Sequence, residues 1–88
     1  MAQRSAVVAS KVGLHARPAA LFVKAVAAAG LPVTIAKGDG DPVDAASILG
    51  VMTLGAGHGD EVTLAAEGEG ADKILAELVE LLGTDLDA

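Results

Sequence analysis

From Glu61 to Glu67 apolar and polar side chains alternate: Val62, Leu64 and Ala66 fall on one side, Glu61, Thr63, Ala65 and Glu67 on the other. A period of two marks a strand with one buried and one wet face. A shorter run, Leu31 to Lys37, repeats it, with Val33 and Ile35 on one face and Thr34 on the other. Ser5 to Ser10 is a third β-type run, ended by the Lys11-Val12-Gly13 turn region. Gly38-Asp39-Gly40-Asp41 predicts a hairpin turn that accepts positive φ. After it, Pro42-Val43-Asp44 leaves room for a very short strand at a sheet edge, where proline is tolerated.

Three stretches follow the helical period instead. Ala16 to Ala29 places Phe22, Val26 and Ala29, with Ala25 beside them, on one stripe and Lys24 off it, and Gly30 closes the helix. Ser47 is the N-cap of a short helix reaching Leu54 and stopped by Gly55-Ala56-Gly57. After Gly70, Ile74, Leu75, Leu78, Leu81 and Leu82 line one side, while Asp72, Lys73, Glu77 and Glu80 occupy the other. Gly83 onwards reads as a polar, frayed tail. The order β-α-β-β-α-β-α predicts an α+β fold, a mainly antiparallel four-stranded sheet with the three helices on one face. No linker, repeat or low-complexity segment divides it, so residues 1–88 are expected to form one domain.

Composition adds that the core is aliphatic. Hydrophobic residues make up 52% of the 88, yet Phe22 is the only aromatic and there is no cysteine. Such a chain can fold without disulfides, and thiol chemistry and a cysteine-based zinc site are excluded. The start lacks a signal-peptide core and no apolar run approaches a membrane span, so a soluble cytoplasmic protein without membrane insertion is expected.

Charge changes the picture more. Residues 1–38 hold Arg4, Lys11, Arg17, Lys24 and Lys37 and no acid; residues 39–88 hold all 12 acids and only Lys73 as a base. If the basic half stays together in the fold, the surface is polarised towards acidic protein partners or a phosphorylated donor. Five bases without interleaved aromatics, on a chain of net charge −6, argue against nucleic acid.

The chemistry converges on Gly13-Leu14-His15-Ala16-Arg17-Pro18. Pro18 fits the first turn of a helix, and the alanine-rich run after it is strongly helix-forming. His15 is therefore at the mouth of that helix, where free N–H groups and the positive dipole end favour an anion. Arg17 adds a planar fork suited to phosphate oxygens. A lone histidine is more often a cap or a solvated residue; here the helix end, the arginine and the basic half together point to a phosphoryl group held on imidazole.

Other candidates weigh less. His58, in Gly57-His58-Gly59, reads as a surface turn residue, and Asp39, Asp41 and Asp44 lack the spacing of a calcium loop; no metal or other cofactor is expected. The short helix carries Ile48, Leu49, Val51, Met52 and Leu54, more apolar residues than two turns can bury, so Ile48, Leu49 or Met52 should contribute to an exposed docking patch. Ser47 reads as a helix cap and also as a regulatory phosphorylation site beside that patch.

Gly13-Leu14-His15-Ala16-Arg17-Pro18-Ala19, Phe22-Val23-Lys24 and Ser47-Ile48-Leu49-Gly50-Val51-Met52-Thr53-Leu54-Gly55 closely resemble the histidine-containing phosphocarrier (HPr) family of the bacterial phosphoenolpyruvate-dependent sugar phosphotransferase system. The likeness extends over nearly the whole chain in length and element order. It implies an open-faced β-sandwich and phosphorylation of His15 at Nδ1, with Arg17 attending the phosphohistidine. Enzyme I is the implied donor and sugar-specific enzyme IIA domains the acceptors, to a monomeric carrier. Ala16, Ala20 and Lys24 are the implied docking residues beside Ile48, Leu49 and Met52. Ser47 matches the serine phosphorylated in some Gram-positive members, which implies HPr kinase/phosphorylase and a transcriptional regulator as further partners. Ala27 and Gly50 stand where some members carry lysines, which thins the basic surface. Two other readings stay open: a regulatory docking module of the same fold, and a paralogue serving a nitrogen-related or dihydroxyacetone phosphotransfer chain. A free-standing enzyme is disfavoured, because the chain has no nucleotide loop.

Overall fold

In the computed structural model, which describes residues 2–84, the chain forms β1 (Ala2–Val7), α1 (Ala16–Ala29), β2 (Val33–Lys37), β3 (Val43–Asp44), α2 (Ile48–Thr53), β4 (Glu61–Ala66) and α3 (Ala71–Leu82). One antiparallel sheet takes all four strands in the order β1-β4-β2-β3. The clearly alternating strand is thus interior, and two-residue β3 is an edge, where the neighbouring Pro42 is tolerated. Because β4 lies between β1 and β2, those two strands run parallel and α1 crosses over β4 to join them. This is the expected α+β open-faced sandwich.

One face of the sheet is buried under the helices. Ala6 and Val8, Val33 and Ile35, and Val62, Leu64 and Ala66 meet Phe22 and Val26 of α1, Val51 of α2, and Leu75, Leu78 and Leu82 of α3. Helix α3 lies over β1 and β4, and α1 packs against α2 and α3. Burial of the valine, leucine, isoleucine and phenylalanine side chains among them, at about 1.5–3 kcal/mol each, is the main force holding the sandwich.

Three sequence expectations need correction. The first strand occupies Ala2–Val7, not Ser5 to Ser10, because its partner sets the limits: Ala2 pairs with Ala66 and Val7 with Glu61. The α1 stripe is Pro18, Ala19, Phe22 and Val26, with Ala25 and Ala29 only half-buried. Those alanines, with half-buried Ile74 and Leu81, line a shallow furrow between α1 and α3, which small side chains leave unfilled. Gly83 and Thr84 are still bonded to the end of α3, their N–H groups donating to the Val79 and Leu81 carbonyls. The rest of the expected frayed tail lies outside the described residues.

Candidate functional site

Residues 8–14 carry the chain from β1 to α1 across the 56–60 loop that precedes β4. The Val8 N–H donates to the Asp60 carbonyl at 3.0 Å, and the Gly59 N–H to the Val8 carbonyl at 2.8 Å. Further on, Leu14 is buried and its N–H donates to the Ala56 carbonyl at 2.8 Å. Gly13 has φ +74°, and a Cβ there would lie 2.6 Å from the Ala56 oxygen and 2.8 Å from Gly57 Cα. No other residue fits that approach without moving the loop. Gly13 and Leu14 thus fix the backbone immediately before His15.

His15 is exposed, with extended backbone (φ −130°, ψ 155°) at the N-cap of α1, and its side chain makes no capping bond. The imidazole is left free for other chemistry. Ala16 begins the helix at φ +39°, a conformation that costs an L-residue about 1–2 kcal/mol. An α-helix gives its first N–H groups no internal partner, and here Pro18 contributes none, which leaves those of Ala16 and Arg17 facing the helix entrance. The first turn contains no acid. Arg17 is exposed, and the one ion pair among the described residues is Lys37–Asp60, so Arg17 is not committed to a carboxylate there. Amide dipoles, an uncommitted guanidinium and an exposed imidazole together suit a phosphoryl group.

Helix α2 has the expected cap: Ser47 Oγ accepts from the Gly50 N–H at 3.2 Å. Val51 is fully buried, whereas Leu49 is 73% and Ile48 42% exposed, and Met52 is half-buried. On α1, which packs against α2, Ala16, Ala20 and Lys24 are exposed, as is Leu21 at 39%. His58 lies exposed in its loop. Asp44 serves a turn, its Oδ1 accepting from the Ala46 N–H at 2.9 Å.

Residues 2–84 match the family described as "PTS HPr component phosphorylation site". The chain belongs to the PTS HPr family. It is 52% identical over 87 residues to the phosphocarrier protein HPr of Streptomyces coelicolor, covering 99% of this chain and 94% of that protein. It is 45% identical over 78 residues to the HPr-like protein Crh of Bacillus subtilis, covering 89% and 91%. The crystal structure of an HPr from Bacillus anthracis superposes with a TM-score of 0.86 at 40% identity, over 92% of this chain and 95% of that one. An HPr is a phosphocarrier of the phosphotransferase system, and that is the role of this chain.

Two features of this HPr site were not anticipated from sequence: the close seat of Gly13 on Ala56 and Gly57, and the positive φ of Ala16. The available signal was a glycine and a leucine ahead of the histidine, matched by the glycine-flanked Ala56 some forty residues on.

Proposed function

We propose that this HPr acts as one domain that accepts a phosphoryl group from enzyme I on Nδ1 of His15 and hands it to enzyme IIA domains. The observation that carries the reading is the exposed, uncapped imidazole at the N-terminus of α1, with Arg17 two residues on. In loading, the bond from phosphorus to the donor breaks as the bond to the His15 nitrogen forms, and in handing on the bond to His15 breaks as the bond to the acceptor forms. Charge spreads over the three equatorial oxygens, where the α1 amides and the Arg17 guanidinium stabilise it. Handing on reverses these steps, so the carrier holds the group without consuming it.

Ala16, Ala20 and Lys24 on α1, and Ile48, Leu49 and Met52 on α2, form the surface that partners cover, with exposed Leu49 as its apolar centre. Ser47, at the start of the same helix, is the regulatory position, open to HPr kinase/phosphorylase. No helix among the described residues is long and apolar enough to cross a membrane, and the carrier works in the cytoplasm, where phosphoenolpyruvate is made.

The test is to incubate the chain with enzyme I, magnesium and phosphoenolpyruvate and weigh it intact under mildly basic conditions. One added phosphoryl group, labile to acid and absent from His15→Ala, is expected. If His15→Ala folds and is still labelled, the acceptor lies elsewhere. No label on the native chain, with enzyme I active on a known carrier, would leave a docking module of the same fold.

A further inference from the structure

The loop on which Gly13 and Leu14 rest is conformationally weak by composition. Gly55, Gly57 and Gly59 alternate through it, two of them at positive φ (+68° and +86°), and glycine gives backbone the most freedom to lose. Two side chains hold it in place. Lys37, the last residue of β2, donates from Nζ to the Gly55 carbonyl at 3.1 Å and lies 3.3 Å from Asp60 Oδ2. That same carboxylate oxygen accepts the Gly57 N–H at 2.8 Å. One side chain therefore fixes the residue before Ala56 and the other the residue after it, while the Ala56 carbonyl between them receives the Leu14 N–H.

Lys37 and Asp60 are both about two-fifths exposed (43% and 40%), and ion pairs of that kind add little to global stability. What this pair touches is local: it holds Gly55 and Gly57, on either side of the carbonyl that accepts the Leu14 N–H, one residue from His15. We propose that Lys37 and Asp60 are positioning residues for phosphoryl transfer at His15, acting through Gly55-Ala56-Gly57. The inference rests on His15 being the acceptor.

The experiment compares Asp60→Ala, Asp60→Asn and Lys37→Met with the native chain in transfer from phosphorylated enzyme I. It reads kcat and KM for the carrier, the exchange rate of the Leu14 amide proton, and the urea midpoint. Asp60→Ala should lower kcat about tenfold with KM within about twofold, since small displacements of reacting groups are costly in rate. Leu14 exchange should quicken in the same variant. Asp60→Asn keeps an oxygen for the Gly57 N–H and should recover kcat to within about threefold. Lys37→Met, which frees the Gly55 carbonyl but keeps the aliphatic stem, should also lower kcat, and it decides the matter if Asp60→Ala does not fold. Native kcat in Asp60→Ala and Lys37→Met, or loss of urea resistance alone, overturns the positioning role and leaves His15 as the acceptor. Failure of the native chain to accept phosphoryl groups from an active enzyme I overturns the acceptor reading and this role with it.

Discussion

In the proposed transfer, Arg17 is the side chain assigned to the electrostatics of the phosphoryl group. It sits on the first turn of α1, exposed and uncommitted to any described carboxylate, so its removal leaves no buried charge and should not disturb the core. Arg17→Ala should therefore keep the native urea midpoint while slowing phosphoryl transfer about tenfold or more, the scale of a lost charge-assisted contact to a transition state. Rapid-quench rates with enzyme I check this, and an unchanged rate removes the assigned role. The place of His15 at a helix entrance was legible in Pro18 and the alanine-rich run behind it, because both are local preferences. The positive φ of Ala16 was not. The backbone just before it is tied to Ala56, a contact between distant parts of the chain that no local propensity encodes.

Helix α2 separates two things that Ser47 does. The hydroxyl caps the helix through the Gly50 N–H, and the residue adjoins the exposed Ile48 and Leu49. Ser47→Ala should cost about 1 kcal/mol of stability, as cap removal does, without adding charge. Ser47→Asp keeps a capping oxygen, so stability should hold to within about 0.5 kcal/mol, but it places a negative charge beside the proposed docking surface. Calorimetric titration with enzyme I should show weaker binding for Ser47→Asp and near-native binding for Ser47→Ala; equal binding by all three would count against the switch. Elements with strong periodicity or caps, α1, α2, β4 and α3, were readable from sequence almost to the residue. The first strand was misplaced for a physical reason. Ala2–Val7 is an edge strand whose middle is Gln3-Arg4-Ser5, and Arg4, in the row of Leu64 and Ile35, stays exposed. A charge in that row protects the edge from further pairing and erases the alternation by which a strand is recognised.

The separation of charge in the sequence does not become two hemispheres in the fold. Strand β1, from the basic half, is paired with β4, from the acidic half, and α3 lies across both. Lys37 is paired with Asp60. Within the basic half, α1 has no acid and exposes Arg17 and Lys24. The crossing of the two halves also sets a response to acid. The Gly57 N–H, and after it Lys37, hold the Asp60 carboxyl below its ordinary range. The folded chain thus releases that proton more readily than the unfolded one. The associated stability is present above the ordinary carboxylate pKa and is lost as pH falls through the lower, folded value. Between about pH 5 and about pH 2 the urea midpoint of the native chain should fall more steeply than that of Asp60→Asn; parallel curves would show that Asp60 contributes nothing to acid sensitivity.

The position of β4 between β1 and β2 has a consequence for how the protein comes into being. A ribosome delivers His15 early, but the strand that bridges the first two, and the loop carrying Ala56 and Asp60, are made only after most of the chain has left the synthesis centre. Until then the histidine hangs on a segment with nothing to rest against, and the two strands that flank β4 have no partner between them. The fold closes by contacts distant in sequence, so the support beneath His15 is complete only once β4 and the loop before it have been made.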